Sequence, residues 1–209
     1  MPLGVLTTAS GVAVGIFAAS DVATRFMGLA YRAGTFGAQP RLAFLVATLF
    51  AGSGLLLGLV AAGVLFGVWL HRAVSNLHRL GRVGMAYSPA RSVASFYIPF
   101  VNLVRPYRVM KELWRATEPS APADGGGWRV EMALTNQVDV WYGCWIGSVF
   151  ASGISNTVEG ASSGPNVLEL AGPTMLTVGA IACIRMMRAI EARQESIAVR
   201  RSRARPPSG

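Results

Sequence analysis

His71 and His78 are the two side chains here whose ordinary pKa would let them pass a proton near neutrality, and they stand seven residues apart. At 3.6 residues per turn, that spacing places both rings on one helix face. Nucleophilic catalysis needs a Ser, Cys or Lys activated by a neighbouring base, and no evident nucleophile accompanies either ring. Two histidines with no Cys, Asp or Glu close by also make a poor zinc site. Cys144 and Cys183 lie inside separate apolar runs, which gives neither a zinc spacing nor a disulfide framework. Asp139, Glu159 and Glu169 fall near the ends of apolar runs. Carboxylates placed there are usually solvated, so surface charge is expected rather than a proton path. No Walker, GxGxxG, HExxH or CxxC pattern occurs. The expectation is a non-enzymatic protein with no cofactor and no metal.

The elements that would carry these residues are mostly apolar. Of 209 residues, 52% are hydrophobic and 14% charged, well below the quarter usual in soluble domains. The net charge is +9. In a soluble protein that charge would suggest nucleic acid. Here the basic residues adjoin apolar runs, so membrane topology explains them better and no nucleic-acid partner is expected. Lys111 is the single lysine against eighteen arginines, a bias that fits a GC-rich genome.

The sequence predicts an all-α integral membrane helical bundle. It has about four transmembrane helices, over roughly 3–27, 42–70, 138–154 and 167–184, with a cytoplasmic interfacial helical segment over 88–117. Residues 1–195 would form one membrane domain, with a flexible Pro/Gly linker at 118–127 and a disordered basic tail at 196–209. Leu3 to Ala19 carries no charge, and such a run is just long enough to cross about 30 Å of hydrocarbon at 1.5 Å per residue. No Lys or Arg precedes Arg25, so the basic start of a secretory signal is lacking. Asp21 and Arg25, four apart, read as an ion pair at the membrane boundary. Leu42 to Leu70 is the clearest span, ending on Trp69, His71 and Arg72 as an interfacial anchor. Trp141, Tyr142 and Trp145 read as an aromatic belt at the start of the third span, and Pro173 as a kink in the fourth.

Small residues suggest how the spans pack. Ala47, Ala51, Gly54, Gly58 and Ala62 fall on one face of the second span, and Gly52, Gly63 and Gly67 on roughly the opposite face. In lipid, where apolar burial gives no advantage, small residues let backbones approach closely. The second span is therefore expected to pack on two sides. Gly11 and Gly15 repeat the pattern in the first span.

The segment between spans two and three is amphipathic. Ser88-Pro89 is a helix-start signal, with Ser as cap and Pro in the first turn. Ser92 to Val104 is uncharged but too short to span, so it is expected to be interfacial, re-entrant or packed on the bundle. Pro106 opens a helix with Val109, Met110, Leu113 and Trp114 on one face and Arg108, Lys111, Glu112 and Arg115 on the other. That is the pattern of a helix in the headgroup layer. Arg108, Lys111, Leu113, Trp114 and Arg115 are thus the expected membrane-surface contacts, with anionic headgroups as partner.

Charge sets the orientation. Arg72, Arg79, Arg82, Arg91, Arg105, Arg108, Lys111, Arg115 and Arg129 lie between spans two and three, and seven more arginines follow span four. Only Arg25, Arg32 and Arg41 fall on the other side, so the positive-inside rule puts both termini in the cytoplasm. There both cysteines are expected to be free packing residues, because that side is reducing.

The middle of the chain resembles the bacterial membrane family catalogued as domain of unknown function 4328. The resemblance lies in Trp69-Leu70-His71-Arg72-Ala73 with Asn76, then Tyr87-Ser88-Pro89. It continues in Ile98-Pro99-Phe100-Val101-Asn102-Leu103 with Pro106, in Glu112-Leu113-Trp114-Arg115-Ala116, and in Trp141 and Trp145. The chain departs at Ser95-Phe96-Tyr97 and Val104-Arg105, where the family is richer in tryptophan. The resemblance implies a multi-pass protein of the bacterial cell membrane and marks Arg72, Asn76, Ser88, Pro89, Pro99, Asn102, Pro106, Trp114 and Arg115 as family positions without an assigned role. The expected function is a scaffold, regulatory or sensor module, partnered by another membrane protein or its own copies. The alternative is a small transporter or channel subunit acting as an oligomer.

Overall fold

The computed structural model describes residues 2–34, 41–118, 136–159 and 167–204. Six α-helices and no strand occur among the described residues: α1 Leu3–Arg32, α2 Arg41–Arg79, α3 Pro89–Tyr97, α4 Arg105–Ala116, α5 Asn136–Glu159 and α6 Ala171–Ala204. Short 3₁₀ turns at Val101–Leu103 and Val167–Leu170 precede α4 and α6. The linker expected over 118–127 lies outside the described residues, apart from Glu118.

Two helices, α1 and α2, are long and apolar enough to cross a membrane. In α5 the apolar run is diluted by Gln137, Asp139, Ser148, Ser152, Ser155 and Asn156. Pro173 falls at the start of its helix rather than within it. The helix begins at Ala171, so Pro173 stands in the first turn, where its missing N–H deprives no carbonyl of a partner. At the other end α6 continues to Ala204, so residues 196–204 are helical where a disordered tail was expected; 205–209 lie outside the described residues. The reason is packing. Met186, Met187, Ile190, Gln194 and Ile197 repeat at three- and four-residue steps and are buried, which ties the helix down well past Arg185 and Arg188.

The chain forms two compact units. One, here the apolar unit, comprises residues 10–64 and 140–183; the other, the charged unit, comprises 1–9, 65–139 and 184–209.

In the apolar unit, α2 packs on α1 by bare backbone. A Cβ added to Gly58 would lie 2.9 Å from Phe17 Cα, and one on Gly54 would lie 2.8 Å from Ser20 Oγ. That is the contact expected of the first small-residue stripe. The opposite stripe is only partly used, since Gly52 faces open space; so does Gly15 of α1. The α5–α6 seam is built the same way. A Cβ on Gly179 would meet Cys144 Cβ at 3.2 Å, and one on Gly147 would meet Met175 Cε at 2.9 Å. Cys144 and Cys183 are both free thiols. Away from these seams the unit shows large apolar side chains outward, among them Leu49, Phe50, Leu56 and Leu57 of α2, Phe150 of α5 and Ile181 of α6.

The charged unit is built as water-soluble proteins are. Trp69, Leu70, Ala73, Val74 and Leu77 form one buried stripe on the last turns of α2, while His71, Arg72, His78 and Arg79 are exposed. Val109, Met110, Leu113 and Trp114 are buried on α4, with Met186, Met187 and Ile190 on α6. Each such side chain removed from water contributes about 1.5–3 kcal/mol. Trp69 is fully buried and donates from Nε1 to Thr7 Oγ1 at 3.1 Å, so it is a core residue rather than the interfacial anchor expected.

A Schellman motif ends α2. Gly81, at φ 63°, donates to His78 O, and Arg82 N donates to Leu77 O at 3.0 Å. Arg82 is buried, and its Nη2 donates to Glu118 O at 2.8 Å, which fastens the end of α4 to the turn after α2.

Candidate functional site

The charged unit contains an open groove of about 570 Å³, lined by Leu3, Asn76, Arg79, Glu191, Gln194 and Glu195 among others. That size lies within the range of small-molecule sites, roughly 300–1,000 Å³. Each polar residue is placed by a helix. Gln194 falls on the buried stripe of α6, where its Nε2 donates to Ala73 O at 2.9 Å. A buried amide needs such partners, since leaving one unmade costs about 1–3 kcal/mol. Its Oε1 accepts from Asn76 Nδ2 at 3.5 Å, which orients Asn76 at the groove. Glu191 lies one turn before Glu195 and abuts Gly4, where a Cβ would come within 2.5 Å of its carboxylate oxygen. The carboxylate thus sits by the N-terminal turn of α1, where the helix dipole favours a negative charge. The groove combines an apolar floor with one guanidinium, two carboxylates and two amides.

The charged unit also holds two chains of charged contacts. Arg193 stacks over Trp114, with Cζ 4.0 Å from the ring centroid, and its Nη1 lies 3.2 Å from Glu118 Oε2. Tyr107 Oη donates to Asp139 Oδ1 at 2.8 Å, and Lys111 Nζ lies 3.0 Å from the same oxygen. The Tyr107 hydroxyl, and then Asp139, hold Lys111 above the ordinary lysine value against the effect of burial. Asp139 is therefore a bonded partner of α4 rather than a solvated end charge.

The structure distributes the family positions among several tasks. Ser88 caps α3, accepting from Arg91 N at 3.4 Å, and Pro89 opens that helix. Pro106 opens α4 and is buried, and Trp114 belongs to the core. Asn76 faces the groove, while Arg72 is exposed on α2. Pro99 is exposed in the turn before α4; Asn102, in the same turn, has a buried Oδ1 with no hydrogen-bond partner among the described residues. Arg115 is half-buried. His71 and His78 are both exposed, and His78 Nδ1 lies 2.9 Å from Val74 O.

Leu113 and Trp114 were expected against the membrane surface, with Val109 and Met110 on the same face. All four are buried in the protein, Leu113 completely. The apolar face of α4 is taken up by the core, so only the charged side of this helix is turned outward: Arg108 is exposed, Lys111 is held by Asp139, and Arg115 is half-buried.

Sequence reasoning missed Gln194, Glu191, Arg193 and Glu118. The available signal was Gln194, a polar residue at an apolar-repeat position between Ile190 and Ile197.

Fold and site together define an all-α protein with two helices apt to cross a membrane and a charged, water-type unit bearing a groove. The chain belongs to the family described as Domain of unknown function (DUF4328), which it matches over residues 41–192. That stretch includes α2 through most of α6 and leaves out α1. No curated protein and no solved structure matches the chain.

Proposed function

We propose that the chain is a multi-pass protein of the bacterial cell membrane, with four spans and both termini in the cytoplasm. In this reading residues 1–195 act as one membrane domain: the apolar unit lies in lipid and the charged unit in water. The observation that carries the reading is the change of pattern along α2. From Leu42 to Val64 its apolar side chains are exposed on most sides, including Phe50 at 74% and Leu57 at 70%. From Leu65 onward a single stripe is buried and charged residues face outward. A helix surrounded by lipid has no reason to hide apolar groups, whereas one in water does. Sixteen of the nineteen basic residues favour the cytoplasmic side. Of the other three, Arg32 pairs with Glu169, which reduces the weight of the opposing charge.

The topology is tested by fusing a reporter active only outside the cell to Gly209 and to Ser162. Activity is expected at Ser162 and none at Gly209. A signal at Gly209 removes the four-span arrangement with the C-terminus inside, and silence at both positions removes the third and fourth spans together.

Within that topology the chain acts as a non-enzymatic scaffold, regulatory or sensor module, and the groove favours a sensor. Asn76, Arg79, Glu191 and Glu195 around an apolar floor suit a small molecule with both polar and apolar parts. Native mass spectrometry of the detergent-purified protein is expected to show a retained small molecule that Arg79→Ala loses. Protein that is bare in both forms would leave scaffolding as the better reading.

A further inference from the structure

The turn between α3 and α4 turns its apolar residues outward. Tyr97, Ile98, Phe100, Leu103 and Val104 are all exposed, Phe100 at 88%. The helices of the charged unit bury residues of the same kind elsewhere, on α2, α4 and α6. Phe100 also holds φ at 64°, a left-handed conformation unfavourable for a side chain of this size. The turn thus holds a large aromatic side chain outward, against both backbone preference and the hydrophobic effect.

Four of its amides donate within the turn. Val101 N donates to Pro99 O at 2.7 Å, Asn102 N to Ile98 O at 3.0 Å, Leu103 N to Phe100 O at 3.3 Å and Val104 N to Val101 O at 3.2 Å. Pro99 has no N–H to satisfy. Each amide paired in this way can leave water without an unmet hydrogen bond.

The turn is also fixed in depth along α2. Phe96 meets Phe66 edge-on at 5.1 Å, and a Cβ on Gly67 would come 2.9 Å from Tyr97 Oη. Gly67 precedes Arg72 by five residues, about 8 Å along a helix. Val68, beside it, is exposed like the apolar residues that precede it on α2. Arg91, Arg105 and Arg108 flank the turn and are exposed. They stand where they would meet anionic headgroups while the apolar tips go deeper.

The geometry points to the Tyr97–Val104 turn as a wedge that enters the cytoplasmic leaflet of an anionic membrane, with Phe100 at its tip. The inference rests on the membrane reading above. Membrane attachment of this region thereby falls to the turn between α3 and α4, and of Arg108, Lys111, Leu113, Trp114 and Arg115 only Arg108 is retained among the contacts.

The test uses the full chain in nanodiscs containing anionic lipid. A spin label is placed by Phe100→Cys, Leu56→Cys or Ser202→Cys in a Cys144→Ala/Cys183→Ala background. Should that background fold poorly, Cys144→Ser/Cys183→Val keeps more of the volume. Collisions with oxygen report lipid, and collisions with a water-soluble nickel chelate report solvent. The label at Phe100 is expected to favour oxygen, at a depth of about 5–10 Å below the headgroups. The label at Leu56 should favour oxygen more strongly, and the label at Ser202 should favour nickel. Nickel dominating at Phe100 while oxygen dominates at Leu56 overturns the wedge and leaves the membrane reading standing. Shielding of Phe100 from both reagents means that a protein surface covers it, and the wedge falls. Nickel dominating at Leu56 removes the membrane reading, and the wedge with it.

Discussion

Replacing Gly58 by leucine lowers the melting temperature of the detergent-solubilised protein, more than the same change at Gly52. Even the first added carbon, a Cβ on Gly58, would lie 2.9 Å from Phe17 Cα and 3.0 Å from Phe17 N. The obstacle is backbone, which cannot swing aside as a flexible side chain can, so the two helices must separate. Forcing extra volume into a packed contact costs about 1–3 kcal/mol and occasionally more. At about 2–4 °C per kcal/mol for a chain of this length, Gly58→Ala should lose several degrees and Gly58→Leu more. Gly52 is the control, because nothing lies within 4 Å of its added Cβ. There alanine should be neutral or slightly stabilising, through the better helix propensity of alanine over glycine. Equal melting of Gly58→Leu and the wild type would mean that α1 and α2 do not pack through this seam.

Arg32→Ala is the second large effect expected. Glu169 is 1% exposed and is paired with Arg32, whose side chain is 32% exposed. Removing one partner of a buried ion pair is damaging chiefly because it strands the other charge, at about 3–5 kcal/mol. The partial exposure of Arg32 argues for the lower end, roughly 3 kcal/mol. If the stranded charge is the cause, Arg32→Ala/Glu169→Gln should recover part of the loss, since an amide carries no charge to bury. Thermal melting of the three variants decides it. A double variant no better than Arg32→Ala would assign the loss to packing of the arginine stem.

Glu169 also shows where reading the chain alone ran out. Its partner lies 137 residues away, and no local pattern links the two. A carboxylate at the end of an apolar run looks solvated until the fold brings a guanidinium to it. Asp139 behaves in the same way, being bonded to Tyr107 and Lys111 of α4. Gly58 lies at the opposite extreme. Its place on a stripe of small residues was legible from spacing, and the backbone of Phe17 meets it there. Gly52 shows the limit of the same rule, since spacing alone does not say whether a neighbour exists.

Helix α4 divides the two kinds of knowledge most clearly. Its existence, its start at Pro106 and its apolar face of Val109, Met110, Leu113 and Trp114 all follow from residue type and a period of 3.6. Which medium meets that face does not follow, because lipid and protein core select the same side chains. The tertiary structure decided for core, and it turned the apolar residues of Tyr97–Val104 outward. The sequence by itself determined the helical class, the apolar runs and the charge asymmetry, because each depends on neighbours within a few turns. The ion pair of Glu169, the groove of Asn76 and Gln194, and the outward aim of Phe100 were decided only by tertiary structure. Each depends on residues brought together from distant parts of the chain, or on the absence of a neighbour that only the fold reveals.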